Sequence, residues 1–133
     1  MYTHPKMAEF TRTLEALFHE VDDDLEDLWG QSFALHPNRP GRGETSNPEM
    51  DGLFNIVPDF TVGLGSEQGR GYSISLKVAT LETVTPEQFE YLMTEAAILI
   101  SGKLLRYFPD RELKVVRDGK RFKLIGDFSL GNA

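Results

Sequence analysis

The chain of 133 residues has room for one ordinary domain, and its 40% of apolar residues are enough to form a packed core. It contains no cysteine, which excludes disulfides and thiolate zinc sites, and three scattered histidines argue against an all-imidazole metal site. The net charge of −7 disfavours general binding to nucleic acid or to anionic membranes, because both require a basic surface. No apolar run approaches the roughly 20 residues that span a bilayer, and no signal-peptide pattern occurs. We therefore expect a cytoplasmic protein without a cofactor or a metal.

The charges are distributed unevenly along the chain. Residues 1–29 carry two basic and eight acidic side chains, whereas residues 101–123 carry eight basic and three acidic ones. Either the opposite ends attract each other in the folded chain, or a basic surface remains open to an anionic ligand.

The first predicted element is a long helix over Pro5–Trp29, with Pro5 in the first turn, where its missing N–H is not needed. His19 lies on the polar side of this helix beside Glu15, which indicates a solvated surface and not a metal site. The prediction depends on one apolar stripe with steps of three and four residues: Met7, Phe10, Leu14, Leu17, Val21, Leu25 and Leu28.

A connection rich in proline and glycine follows the helix, over about residues 31–52. Loops longer than about 12 to 15 residues are uncommon in compact domains and are usually functional or disordered. This loop contains two arginines, Arg39 and Arg42, in the sequence Arg-Pro-Gly-Arg-Gly.

Three strand segments are predicted next, at Leu53–Val57, Phe60–Leu64 and Tyr72–Ala79. In the last two, apolar residues alternate with small or polar ones, which indicates a sheet that is covered on one face only. The glycine-rich segment Gly65–Gly71 joins strand to strand and therefore predicts the tip of an antiparallel hairpin. For the same reason it does not match the dinucleotide-binding loop, which joins a strand to a helix.

A second helix is predicted to begin after Thr85, because Thr85, Pro86 and Gln88 match a capping box with proline in the first turn. It extends to about Tyr107. Its main apolar stripe consists of Phe89, Leu92, Met93, Ala96, Ile100, Leu104 and Tyr107. A second apolar line lies on a different side: Tyr91, Ile98 and Leu105. Either the sheet and the first helix cover both sides, or the second line is the interface of a homodimer.

The last predicted element is a hairpin that turns at Asp118-Gly119. A two-residue turn at this point places Lys114 opposite Lys123, and like charges in that position destabilise a strand pair. We therefore predict a basic surface formed by Lys114, Arg121 and Lys123. An anionic group should compensate it, supplied by the acidic first helix, a neighbouring chain or a ligand.

The element order α-β-β-β-α-β-β predicts an α+β two-layer sandwich, with two long helices on one face of an antiparallel sheet. We expect a single domain over residues 1–133. The sequence contains no Gly-x-Ser-x-Gly, Walker or His-Glu-x-x-His motif, so no catalytic residue is assigned and an enzyme is the less favoured class.

The size, the acidity, the absence of cysteine and the order of elements resemble the small dimeric chaperones of type III secretion. The resemblance implies a non-enzymatic binding or adaptor module that offers a sheet or groove surface to a protein partner. Its dimer interface would be the line of Tyr91, Ile98 and Leu105.

The competing hypothesis is a small anionic-ligand-binding protein or enzyme. Its site would form where the 37–52 loop meets the 65–71 loop and brings Arg39, Arg42 and Arg70 together, because planar guanidinium groups suit phosphate or carboxylate. Glu67 or Asp59 would then supply an acid or base. A third and less favoured hypothesis is that the basic hairpin binds RNA or DNA, which requires salt-dependent binding.

Overall fold

A computed structural model describes residues 5–63 and 69–126 of the chain. Its elements in chain order are α1 (Pro5–Trp29), a 3-10 turn (Pro48–Met50), β1 (Phe54–Thr61), β2 (Gly71–Val78), α2 (Pro86–Tyr107), β3 (Leu113–Asp118) and β4 (Arg121–Gly126). No helix within these residues is long and apolar enough to cross a lipid bilayer.

The four strands form one antiparallel sheet in the order β1-β2-β4-β3, which confirms the predicted α+β class. Helices and strands follow the predicted order, and the first two predicted strand segments are joined in β1. Pro58 lies within this strand. It is tolerated there because β1 is an edge strand, where a backbone without an N–H breaks no ladder on the outer side.

The hydrophobic core lies between the helices and one face of the sheet. Ile74 and Leu76 of β2 are buried in it, whereas the alternating residues Ser73 and Ser75 are only partly buried, as the pattern predicts. The helix stripe of α1 is buried along its middle, but Met7 and Leu28 near its ends are exposed. The 25 residues of α1, at about 1.5 Å each, form a longer element than the eight residues of the neighbouring strand β1, at about 3.3 Å each. The strand is therefore too short to cover both ends of the helix.

The second helix begins as predicted, at a complete capping box. The hydroxyl of Thr85 accepts a hydrogen bond from the Gln88 amide at 3.1 Å, and the Gln88 side chain accepts one from the Thr85 amide at 2.9 Å. Each bond satisfies a backbone donor that the first turn of a helix cannot satisfy internally.

Opposite charges hold α1 against the second half of α2. Glu20 accepts hydrogen bonds from Lys103 at 2.9 Å and from Arg106 and Tyr107, and Asp24 lies 2.8 Å from Lys103. These contacts lower the pKa of Glu20 to about 2, mainly through the bond from Tyr107 and then those from Arg106 and Lys103. Part of the charge asymmetry in the sequence is therefore used inside the fold.

The predicted pairing of the last hairpin is wrong. The turn residues are Gly119 and Lys120, and only the glycine has a positive φ, of 63°, as in a type II′ turn. Moving the turn by one residue moves every partner by two, so Lys114 faces Ile125 and not Lys123. Because side chains on a strand alternate with a period of two, a shift of two positions leaves each side chain of β3 and β4 on the face of the sheet that was predicted for it.

Lys123 must also be removed from the predicted basic surface. It is only 2% exposed, its ammonium group donates to the carbonyl of Gly69, and it lies 3.5 Å from a carboxylate oxygen of Asp118. Lys114 and Arg121 are exposed. The anionic compensation for the buried lysine therefore comes from its own hairpin.

Candidate interaction surface

The second helix presents an uncovered apolar line to solvent. Tyr91 is 49% exposed, Ile98 60% and Leu105 75%. Steps of seven residues drift by only about 20° per step around a helix, so the three side chains form one nearly straight line. The residues that face the core are different ones: Leu92, Met93, Ala96, Ala97, Ile100 and Leu104. Trp29 of α1 packs against Tyr91, but Ile98 and Leu105 keep most of their side-chain surface exposed.

The charges on α2 change sign along its axis. Glu87, Glu90 and Glu95 lie in the first half of the helix, and Lys103 and Arg106 lie in the second. This arrangement suits the helix dipole, whose positive end is the N-terminus. The apolar line is therefore accompanied by acidic charge at one end and basic charge at the other.

The apolar surface continues at both ends of the line. At one end the ring of Tyr91 packs edge-on against Trp29 of α1, with 5.2 Å between the ring centroids. At the other end Leu105 borders an open cleft of about 760 Å³ between α2 and the edge strand β3. The cleft is lined in part by Ser101, Leu105, Arg111, Leu113, Lys114 and Val115.

Arg39 is occupied within the long loop. Its guanidinium donates to the backbone carbonyls of Gly52 at 2.7 Å, Asp51 at 2.9 Å and Glu49 at 3.1 Å. It closes the loop on itself and is engaged by protein acceptors.

Arg42 joins the loop to the first helix. It bonds Asp22 at 2.5 Å, Asp51 at 3.0 Å and the Pro48 carbonyl at 3.2 Å, and it lies 3.6 Å from Glu26. The carboxylates of Asp22 and Asp51 are almost completely buried. A buried ion pair of this kind stabilises the fold only while the guanidinium and the carboxylates are all present, because removing one group leaves an uncompensated buried charge.

The two carboxylates respond differently to this setting. Burial raises the pKa of Asp22 to about 7 against the attraction of Arg42. Its Oδ2 atom has no hydrogen-bond partner in the described part of the chain. Burial also opposes ionisation of Asp51, but bonds from Thr45, the charge of Arg42 and the Gly43 amide outweigh it and lower that pKa.

Arg70 lies at the opposite end of the hairpin from the point where the loop enters it. It precedes Gly71, which pairs with Thr61 at one end of the hairpin, whereas the loop enters at Phe54 at the other end. The seven steps from Phe54 to Thr61 along β1 separate these ends by about 23 Å. Asp59 is exposed on β1. Residues 64–68, with Glu67 and most of the predicted tip, lie outside the described residues.

Sequence reasoning missed two side-chain clusters. One is the group of Asp22, Arg42 and Asp51, and the other is a hydrogen bond of 3.3 Å between His19 Nε2 and Glu49 Oε2. His19 and Glu49 are 30 residues apart, and only the path of the loop brings them together. The nearest signal in the sequence is the placement of arginines directly after an acidic helix.

The fold and this surface define a small two-layer α+β protein with an uncovered apolar helix face. The chain belongs to a family described as "Uncharacterised protein", whose model matches residues 5–126. A relative from Borreliella burgdorferi, described as "Uncharacterized protein", is 38% identical over 123 residues, which cover 92% of this chain and 96% of the relative. No solved structure matches the chain. These descriptions indicate no function.

Proposed function

We propose that this protein is a cytoplasmic, non-enzymatic binding module that pairs with a second copy through the outward face of α2. The observation that carries the proposal is the exposed line of Tyr91, Ile98 and Leu105 on the side of the helix opposite to the core. An apolar surface of this kind is typical of a protein interface when it continues into neighbouring apolar surface.

Charge complementarity favours a second copy as the occupant. In an antiparallel pairing around a two-fold axis, the acidic first half of one α2 lies against Arg106 of the other, which is 63% exposed while it bonds Glu20, whereas Lys103 is held by Glu20 and Asp24. Tyr91 of each copy then approaches Leu105 of its partner, and Ile98 lies near the axis. The surface is in this sense complementary to itself, which is the requirement of a two-fold interface.

The area that a stable dimer needs indicates how far the interface extends. A standard interface covers about 800 Å² on each partner, roughly a tenth of a small protein's surface. With 22 residues α2 is about 33 Å long, so a strip about 10 Å wide offers close to half of that area. The cleft beside β3 and the Trp29 end of the line adjoin this strip and can supply the rest.

The resemblance to dimeric secretion chaperones supports a further part of the proposal, that the dimer presents its remaining surface to a segment of another protein. Arg39 and Arg42 already bond carbonyls and carboxylates of the chain itself, which favours a binding module over the anion-binding alternative.

Sedimentation equilibrium of the full-length chain over a wide concentration range tests the dimer. We expect twice the monomer mass for the wild type and the monomer mass for Ile98→Glu and Leu105→Glu, because each variant places a carboxylate in the desolvated interface, near the axis or against Tyr91 of the partner. High salt should weaken the dimer measurably, since part of the complementarity is ionic.

Leu81→Glu is the matched control. Leu81 is 73% exposed, precedes α2 and is not part of the line, so the variant should retain the dimer mass. Circular dichroism establishes that each variant is folded. A monomeric wild type at high concentration, or a folded Leu105→Glu variant with unchanged mass, would refute the proposal.

A further inference from the structure

We infer that the cavity between α1 and β1 is a binding site for a small organic cation, namely a primary ammonium group attached to an apolar body the size of a benzene ring. This site is distinct from the outward face of α2 and does not depend on the dimer.

The walls of the cavity are apolar and come from three elements. Leu14 and Phe18 of α1 form one side, Ile56 and Pro58 of β1 form the other, and Tyr72 of β2 also lines the cavity. The space measures about 160 Å³ and is open to solvent on one side. A cavity of about 150 Å³ with apolar walls accepts benzene, so this one has room for a single aromatic or branched aliphatic group.

The polar lining is acidic. Glu15 and His19 of α1 and Glu49 of the 3-10 turn line the same cavity, together with the hydroxyl-bearing Thr11. His19 is hydrogen-bonded to Glu49 at 3.3 Å, and both side chains are about one-third exposed. The carboxylates of Glu15 and Glu49 supply acceptors for the N–H donors of an ammonium group, whereas Nε2 of His19 donates to Glu49.

An apolar pocket with a few polar groups that converge on it is the usual form of a small-molecule site. The apolar walls would take up the body of the ligand, and the two carboxylates would determine the sign of its charge. An anion of the same shape would face Glu15 and Glu49 and should be rejected.

Titration of the full-length, isotope-labelled chain with benzylamine, followed by NMR, tests the site. We expect saturable shifts of the His19 ring and of the Ile56 and Tyr72 resonances, with a dissociation constant of about 1 mM or lower. Benzyl alcohol and benzoate have nearly the same body, and we expect them to bind at least about tenfold more weakly, benzoate the weakest.

Glu49→Gln and Glu15→Gln should each weaken benzylamine binding about three- to fivefold, the size expected for a partly exposed ion pair. Glu44→Gln, on the same loop but outside the cavity, should leave it unchanged. Equal binding of benzylamine and benzyl alcohol would overturn the charge assignment. Shifts confined to residues outside the cavity, or no saturable shift at all, would overturn the site.

Discussion

The Nη1 atom of Arg42 lies 3.0 Å from a carboxylate oxygen of Asp51, an acidic residue that is almost completely buried. The other terminal nitrogen of the same guanidinium bonds Asp22 on α1. Arg42 therefore connects the long loop to the first helix. The position of the loop depends on an ion-pair contact that is largely buried.

Replacing Arg42 by methionine should destabilise the fold strongly. Asp22 and Asp51 would keep their burial but lose their shared cation, and removing one partner of a buried ion pair typically costs about 3 to 5 kcal/mol. Urea denaturation measures the loss. Arg12→Met, at an exposed position of α1, should change the free energy of unfolding by less than about 0.5 kcal/mol. Similar losses in the two variants would contradict this role of Arg42.

Asp22 should make stability depend on pH. Its pKa is raised from 3.8 to about 7, so between these values the folded chain binds a proton that the unfolded chain releases. The stabilisation that the fold gains from the protonated Asp22 is complete below pH 3.8 and is lost as the pH rises through 7.

Asp22→Asn removes this titration while keeping the shape of the side chain. The free energy of unfolding of the wild type relative to this variant should fall by up to about 4 kcal/mol between pH 4 and pH 7. Asp27→Asn, at an exposed position of α1, should show no such trend. If the difference in the free energy of unfolding between the wild type and Asp22→Asn does not change with pH, Arg42 keeps the carboxylate ionised and the prediction is wrong.

Glu20 should have the opposite pH dependence. Its pKa is lowered from 4.5 to about 2, so its contribution is present above pH 4.5 and is lost as the pH falls toward 2. Glu20→Gln should lower the urea midpoint at pH 7, and its difference from the wild type should shrink on acidification. Glu9→Gln on the exposed side of α1 is the control. A difference that stays constant down to pH 2 would rule out the ionic origin of the contact.

The two lysines of the last hairpin should differ in their effect on stability. Lys123 is buried and bonded to the Gly69 carbonyl, so Lys123→Met should cost about 2 kcal/mol through the loss of a charged hydrogen bond. Lys114→Met should change the free energy of unfolding by less than about 0.5 kcal/mol, because its side chain is exposed. Thermal or urea denaturation compares them directly. Equal effects would contradict the observed burial.

Much of the fold could be predicted because its signals are local. The stripe of α1, the capping box at Thr85 and the alternation in β2 each depend on residues a few positions apart. The hairpin partners could not be assigned correctly, because Asp118-Gly119 and Gly119-Lys120 are both acceptable two-residue turns. In the folded chain β4 also pairs with β2, Tyr72 with Leu124, and the residues of the turn carry no information on such a long-range contact.

The candidate sites also differ in whether their signals are local in the sequence. The line of Tyr91, Ile98 and Leu105 follows from helix periodicity alone, and the structure leaves it exposed. The competing hypothesis gives an external anion to Arg39 and Arg42, whereas both bind carboxylates or carbonyls of the chain itself. Arg42 follows its partner Asp22 by 20 positions that include the end of α1 and irregular backbone, and no periodic pattern in the sequence indicates a contact of this kind.

The sequence by itself determined the two helices, the antiparallel sheet, its covered face and the position of the second apolar line on α2, because hydrophobic periodicity reflects burial one element at a time. Only the tertiary structure decided which charges neutralise each other, which lysine is buried and where His19 meets Glu49. Ion pairs form between groups brought together by chain reversal, and their partners depend on distances in space that the order of residues does not encode.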